Sequence, residues 1–192
     1  MMMGRGGMGV KAAAVILAAG KGVRMVSGTA KVLHPLCGRP MLGYVLETVR
    51  RCRVELTLVV VGHQAEAVRE AFLDEGVEFV LQEEQRGTGH AVMQTERYLK
   101  DFEGEILVLC GDTPLLKPST VQDLLRRHRE AGAAVSLLTA SLADPSGYGR
   151  VIRRGDGSVA KVVEEKDTAP AETAVKEINA GAYCFAPQFL FR

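Results

Sequence analysis

The sequence lacks the features that mark several classes of protein. Its four cysteines are widely spaced and form no C-x-x-C pair, which predicts reduced thiols in a cytoplasmic protein. With 24 Lys and Arg against 23 Asp and Glu, the net charge of +1 supplies no basic field for DNA or RNA. No apolar run approaches the roughly 20 residues of a membrane span. We therefore expect neither nucleic acid nor a membrane as a partner.

The chain is long enough for one domain with a substantial apolar core, since 47% of its 192 residues are hydrophobic. The N-terminal residues are rich in Met and Gly, and their apolar part is too short for the hydrophobic region of a signal peptide. We therefore expect a disordered leader over residues 1–11 and one continuous domain over residues 12–192.

Short apolar runs alternate with segments of helical period. Runs at 12–18, 56–61, 77–81, 106–110 and 133–140 predict strands, and several are apolar on both faces, as in parallel strands covered by helices. Apolar residues at helical spacing predict helices over 42–49, 65–72 and 121–128. This order predicts an α/β fold with a three-layer, doubly wound, Rossmann-like mixed sheet. After about residue 140, glycines separate shorter runs at 150–153, 159–164 and 181–186, which predicts a small antiparallel β subregion.

The loop after the first strand is a candidate phosphate site, because ligands of open α/β sheets bind beyond the carboxyl ends of the strands. It reads Leu17-Ala18-Ala19-Gly20-Lys21-Gly22, and Arg24 and Lys31 follow. Small residues allow a ligand to approach the backbone N–H groups, and the two cations would reinforce anion binding. A plain glycine turn with two solvated cations is the alternative. The full glycine patterns of dinucleotide-binding and P-loop motifs are not met.

Two further loops are expected at the same edge of the sheet. Asp112 follows the fourth strand, where it could hold a Mg²⁺ shared with phosphate oxygens or simply form a turn. Gln82 and Gln85 follow the third strand and precede a Gly-Thr-Gly turn. Their amides could read the edge of a nucleobase, although a polar loop capped by Thr88 also explains them. The convergence of three such loops favours a nucleotide site.

The motifs in these loops and downstream occur in a definite order. They are Leu17-Ala-Ala-Gly-Lys-Gly-x-Arg24-Met25, Lys31-Val-Leu-His34, Gln82-x-x-Gln85-x-Gly87-Thr88-Gly89-His90-Ala91, Gly111-Asp112-x-Pro114-Leu115, Gly147-Tyr148-Gly149-Arg150, Val163-Glu164-Glu165-Lys166-Asp167 and Glu177-Ile178-Asn179-x-Gly181-x-Tyr183. The set resembles sugar-1-phosphate nucleotidyltransferases, and within them the bacterial N-acetylglucosamine-1-phosphate uridyltransferases.

The resemblance implies Mg²⁺-dependent transfer of UMP from UTP to N-acetylglucosamine 1-phosphate, giving UDP-N-acetylglucosamine for cell-wall precursors and pyrophosphate. It assigns catalysis to Arg24, Lys31 and Asp112, with Asp112 as the metal ligand. The substrate-binding residues that it implies are Leu17, Ala18, Ala19, Gly20, Gln82, Gln85, Gly87, Thr88, Cys110, Gly111, Gly149, Glu164 and Asn179.

The sequence departs from the family pattern at a few positions. Val23, Ala30, Cys110 and Ala180 replace residues that are usually Thr, Pro, Tyr and Thr, and none of these changes removes a charge that the implied mechanism needs. The family continues beyond the point matched by Arg192, with an Asn that completes the metal site and a β-helix acetyltransferase domain that forms a homotrimer. We therefore expect the nucleotidyltransferase domain to be C-terminally incomplete in this chain.

Two alternatives stay open at this stage. One is a nucleotidyltransferase that joins glucose 1-phosphate to UTP or dTTP, and the other is a non-catalytic nucleotide-binding fragment. The four histidines show no metal-ligand spacing, and we expect His90 to be a structural residue near the start of a helix.

Overall fold

The computed structural model describes residues 11–22, 25 and 27–191, and its architecture is a sheet covered by helices on both faces. Its strands are β1 (Ala12–Ala18), β2 (Pro35–Leu36), β3 (Arg39–Pro40), β4 (Leu56–Val61), β5 (Glu78–Leu81), β6 (Glu105–Cys110), β7 (Val135–Ser141), β8 (Arg150–Arg153), β9 (Val159–Val163) and β10 (Glu177–Phe185). Its α-helices are α1 (Met41–Arg51), α2 (Ala65–Ala71), α3 (Thr88–Met93), α4 (Glu96–Leu99), α5 (Pro118–Ala131), α6 (Pro170–Thr173) and α7 (Pro187–Leu190).

The eight-stranded sheet has a parallel half centred on β1. Its order is β5-β4-β1-β6-β10-β8-β9, with β7 paired to β10 beside this path. β1 is parallel to both β4 and β6, and β5 extends the parallel half. Alternate residues of β1 enter different cores: Ala14 and Ile16 pack with α1, α2 and α5, whereas Ala13 and Val15 pack with α3 and α4. The predicted three-layer α/β fold is therefore confirmed.

The helices match the periodic segments. In α1 the buried residues include Leu42, Val45, Leu46 and Val49, which recur on one face as an amphipathic helix requires. The helix α5 begins at a proline and is followed by Gly132 in the left-handed conformation, as predicted from the sequence.

The antiparallel strands belong to the main sheet. β10 is antiparallel to β6, β7 and β8, and β9 continues the sheet from β8. The predicted final strand at 181–186 is observed as Glu177–Phe185, because β10 contains a register shift between Asn179 and Tyr183 that interrupts its pattern. β2 and β3, which the sequence did not predict, form a separate two-stranded hairpin turned by Cys37 and Gly38 at positive φ.

The remaining expectations concern the ends of the chain. The leader predicted over 1–11 lies outside the described residues except for Lys11, whose carbonyl accepts a hydrogen bond from the Glu105 backbone N–H at 3.1 Å. Across the described ranges, no helix is long and apolar enough to cross a membrane.

Candidate functional site

A cleft of about 920 Å³ opens at the carboxyl ends of β1, β5 and β6. Most residues predicted for the site line it, namely Leu17, Ala18, Ala19, Gly20, Lys31, Gln82, Gln85, Gly87, Thr88, Cys110, Asp112 and Asn179. The convergence follows from topology, because neighbouring parallel strands end at the same edge of a sheet.

The loop after β1 runs close to its neighbours. A Cβ on Gly22, which has φ +59°, would lie 2.7 Å from the Cβ of Lys31. A Cβ on Gly62, at the end of β4, would lie 2.9 Å from the Cβ of Ala19 and 3.0 Å from the Gln82 carbonyl oxygen. Such distances leave no room for a side chain, so both glycines let this edge of the sheet close around the cleft. Arg24, predicted for the same loop, lies outside the described residues.

The charged centre of the cleft is an ion pair between Lys31 and Asp112. The two side chains are 39% and 28% exposed, so both are accessible from the cleft. The Asp112 loop is held by two hydrogen bonds: the Gly111 N–H donates to the Leu17 carbonyl at 2.9 Å, and the Thr113 hydroxyl donates to the Cys110 carbonyl at 2.7 Å. The backbone on either side of Asp112 is therefore held in place, and Lys31 is the longer and more adaptable partner of the pair.

Asp112 is the only carboxylate among the described residues that line the cleft. No cluster of three His, Cys, Asp or Glu side chains suited to a metal occurs in the described part of the chain. A lone carboxylate fits Mg²⁺, which commonly binds through one or two carboxylates together with substrate phosphates and water. The donor set is thus suited to an ion that arrives with a nucleotide.

Polar amides occupy the cleft beyond β5. Gln82 is only 2% exposed, and its Nε2 lies 3.2 Å from the Gly87 carbonyl oxygen and 3.0 Å from His90 Nδ1. Gln85 donates from Nε2 to the Gln82 carbonyl at 3.0 Å. Gly87 has φ +103° and is followed by Thr88, the first residue of α3. This region therefore presents amide and hydroxyl groups on a rigid frame.

The opposite wall is formed by β10 at its register shift. Asn179 Nδ2 donates to the Tyr183 hydroxyl, and Asn179 Oδ1 accepts from the Gly181 N–H at 3.0 Å. Burial raises the pKa of Tyr183, so the phenol stays protonated at neutral pH. Burial also raises the pKa of the Cys110 thiol to about 11, and the nearby Asp112 carboxylate adds to the effect. Cys110 is therefore a neutral part of the wall.

Three predicted residues are absent from the lining of the cleft. They are Gly111, Gly149 and Glu164. The Gly111 N–H donates to the Leu17 carbonyl, and Gly149 directly precedes β8, where a Cβ would lie 3.6 Å from Glu164 Oε1. The roles assigned to the predicted site residues stay predictions, for these three and for those that line the cleft.

Several lining residues were not predicted as site residues. They are Gly22, Met25, Val32, Ala91, Thr113, Ser146, Gly147, Tyr148, Ala180 and Gly181. The loop 145–148 is the largest omission. Its local signal was the Gly-Tyr-Gly sequence, and Gly147 indeed has φ +85°.

Comparisons with known proteins agree with this architecture. Residues 14–154 match the model of the MobA-like NTP transferase domain. The bifunctional protein GlmU of Pelobacter propionicus is 54% identical over 180 residues, covering 93% of this chain and 39% of that protein. The bifunctional protein GlmU of Geobacillus thermodenitrificans is 50% identical over 183 residues, covering 95% of this chain and 40% of that protein. The chain thus spans well under half the length of these two relatives.

Solved structures share the fold at low sequence identity. A UDP-glucose pyrophosphorylase complexed with UDP-glucose has a TM-score of 0.74 at 17% identity, over 94% of this chain and 78% of that one. A putative glucose-1-phosphate thymidylyltransferase from Bacillus anthracis has a TM-score of 0.75 at 18% identity, over 93% of this chain and 73% of that one. The family match and the similarity to GlmU proteins agree with the predicted class of protein: the chain belongs to the MobA-like NTP transferase domain family.

Proposed function

We propose that this chain transfers UMP from UTP to N-acetylglucosamine 1-phosphate, forming UDP-N-acetylglucosamine and releasing pyrophosphate. The observation that carries the proposal is the Lys31–Asp112 pair, which lies in one cleft between the amides of Gln82 and Gln85 and the polar wall at Asn179. A base, a phosphate chain and a sugar need these three surfaces in this order. The motifs that resemble the uridyltransferases line the same cleft, and GlmU proteins are about half identical to the chain.

The substrates bring several negative charges together, so binding requires positive charge and exposed N–H groups. Lys31 supplies a cation at the centre, and the motif match adds Arg24. The backbone from Ala18 to Gly20 lines the cleft and carries no side chain larger than a methyl group. Phosphate oxygens can therefore approach this backbone closely.

Asp112 is the residue that would hold Mg²⁺, which when bound supplies positive charge to the phosphate oxygens. The backbone that carries this carboxylate is held by the hydrogen bonds from the Gly111 N–H to Leu17 and from the Thr113 hydroxyl to Cys110. In the absence of substrate the same carboxylate is balanced by Lys31. The Lys31 ammonium can bind a phosphate oxygen in place of the carboxylate, because its long side chain is 39% exposed.

The reaction needs no protein nucleophile. A phosphate oxygen of the sugar phosphate attacks the α-phosphorus of UTP, a P–O bond forms, and the bond to pyrophosphate breaks in line with the attack. The attacking phosphate is already an anion, so no side chain has to remove a proton. The contribution of Lys31 and the glycine loop is to hold the reacting groups in line and to neutralise charge.

The test is a panel of pyrophosphate-release assays, in which UTP, dTTP, CTP and GTP are each paired with N-acetylglucosamine 1-phosphate and glucose 1-phosphate in the presence of Mg²⁺. We expect the highest kcat/KM for UTP with the amino sugar. A preference for glucose 1-phosphate would favour the related transferases, and binding of UTP without turnover would favour a non-catalytic module.

A pair of lysine variants tests the role of the charged centre. Lys31→Ala should lower turnover by roughly 10² to 10⁴, as for other charge clamps on transferring phosphoryl groups. Lys100→Ala is the control, because Lys100 is 63% exposed and lies 4.0 Å from Asp101 in a surface pair outside the cleft. Equal activity of the two variants would contradict the assignment.

A further inference from the structure

Gln82 is a buried amide with a defined orientation. The side chain is at the cleft, yet the residue is only 2% exposed. One end of its amide lies 3.2 Å from the backbone carbonyl oxygen of Gly87. A carbonyl oxygen accepts hydrogen bonds and cannot donate them, so the amide NH₂ group must face Gly87.

The second N–H of this amide points to the ring of His90. The Gln82 Nε2 atom lies 3.0 Å from Nδ1, and Gln94 Nε2 lies 3.2 Å from Nε2 on the opposite side of the ring. A neutral imidazole has one nitrogen that accepts and one that donates, so it can accept from only one of these two amides.

Burial decides between the two amides. Gln94 is less buried than Gln82, so its amide can turn, which brings its oxygen to an N–H at His90 Nε2 and leaves its NH₂ group to water. Gln82 is almost fully buried, and an N–H without a partner there would carry the full cost of desolvation. The stable arrangement therefore has Nδ1 of His90 as the acceptor and the proton on Nε2.

With both N–H groups engaged, the amide oxygen of Gln82 is the group left for a ligand. Neither of the two side-chain bonds of Gln82 uses Oε1 within the described part of the chain. An acceptor at this point complements a base edge that carries a ring N–H, as uracil does at N3. The same acceptor would repel cytosine, which has a lone pair and no N–H at N3.

We propose that His90 is a positioning residue that acts through Gln82 and makes the cleft select uracil over cytosine. The inference rests on the proposed uridylyl transfer and adds to it the residue that sets the polarity of the base contact. His90 does not line the cleft and needs no contact with the nucleotide.

Steady-state kinetics with UTP and CTP provide the first test. His90→Leu removes the acceptor, so the ratio of kcat/KM for UTP to that for CTP should fall at least fivefold, mainly through a higher KM for UTP. His90→Asn places an amide oxygen near the former Nδ1 position and should retain the ratio to within fivefold. A smaller fall in His90→Leu, or an equal fall in His90→Asn, would overturn the proposal.

Gln94→Ala is the matched control, because Gln94 contacts the other ring nitrogen of His90 and directly follows α3. It should leave the ratio unchanged, and a fall as large as that of His90→Leu would mean that loosening of α3, and not the acceptor, changes base choice.

A spectroscopic test reads the tautomer of His90 directly in the wild-type chain. In a long-range ¹H–¹⁵N spectrum of the histidine-labelled wild-type chain, His90 should appear as the Nε2–H tautomer, with its signal assigned by its loss in His90→Asn. The Nδ1–H tautomer would refute the proposal even if uridylyl transfer were observed. Conversely, failure to release pyrophosphate from UTP would refute the proposed function and leave the tautomer result standing.

Discussion

The buried Arg150 should contribute more to the free energy of unfolding than the exposed Arg153 on the same strand. Its side chain is 2% exposed and lies at the start of β8. Nη1 donates to the Pro145 carbonyl at 2.8 Å and also to the Tyr148 carbonyl, and Nη2 lies 3.5 Å from Glu165 Oε1. One guanidinium thus holds both ends of the loop 145–148, which forms part of the cleft wall.

The expected cost of Arg150→Met follows from these contacts. Loss of two hydrogen bonds from a charged donor removes about 3 to 6 kcal/mol, and the pair with half-exposed Glu165 adds no more than about 1 kcal/mol. Part of this loss is offset, because the substitution also removes a buried guanidinium whose Nε has no hydrogen-bond partner among the described residues. A group of that kind costs about 1 to 3 kcal/mol. We therefore expect a net loss of about 3 kcal/mol, from the middle of each of these ranges.

Urea denaturation followed by far-ultraviolet circular dichroism measures this loss. Arg153→Met is the control, since Arg153 lies on the same strand but is 44% exposed, and its bonds to Glu177 at 2.6 and 2.8 Å are surface contacts. It should cost no more than about 1 kcal/mol.

Glu165→Gln should also lower the free energy of unfolding only slightly, because an amide oxygen can still accept from the Gly147 N–H, which is bonded to the Glu165 carboxylate at 2.7 Å. If Arg150→Met were no more destabilising than the Arg153 variant, the buried contacts would not hold the loop.

Three further predictions concern the core, pH and thiol chemistry. Leu42→Ala should lower the free energy of unfolding by about 2 to 5 kcal/mol in the same urea assay, because Leu42 of α1 is fully buried in the core. A smaller loss would mean that the surrounding side chains collapse into the cavity. Burial lowers the pKa of His128 below 6.5, so as the pH drops the unfolded chain binds a proton at this side chain before the folded chain does. The free energy of unfolding should therefore fall as the pH drops through 6.5 and level off below the pKa of the folded state. His128→Gln should show a flatter profile, and an unchanged slope would contradict this. At pH 8 a thiol reagent should modify exposed Cys37 rapidly and Cys110, with its pKa of about 11, slowly, and the fast phase should vanish in Cys37→Ser.

The parallel half of the fold was predictable because its signals are local. β1 and β4 occupy the residues that their continuous apolar runs predicted, Ala12–Ala18 and Leu56–Val61. Such runs arise where both faces of a strand are buried, and here each face belongs to a separate core. The short helices α3 and α4 were not delimited, because four to six residues are too few to show a helical period.

The loop 145–148 could not be placed from sequence because its position depends on contacts distant along the chain. Glu165 accepts from the Gly147 N–H and pairs with Arg150, which in turn holds the loop carbonyls. Nothing in a Gly-Tyr-Gly sequence indicates that a carboxylate 18 residues later will hold it. The motif match found the residues, while their arrangement as a wall of the cleft required the tertiary structure.

The wall at Asn179 shows most clearly where reasoning from strand ends stops. For parallel strands, site residues are sought after the carboxyl end, and this rule located Gln82 and Asp112. Asn179 lies inside β10, and no rule about strand ends would select it. It reaches the cleft because β10 is antiparallel to β6: Phe185 pairs with Ile106 and Ala182 with Leu109, so residues before Ala182 lie level with residues after Leu109, where Asp112 follows. The register shift that follows Asn179 and the positive φ of Gly181 then interrupt the strand at the level of the ion pair. The reversal of one strand, which depends on pairing between residues far apart in sequence, therefore gives the cleft its second wall.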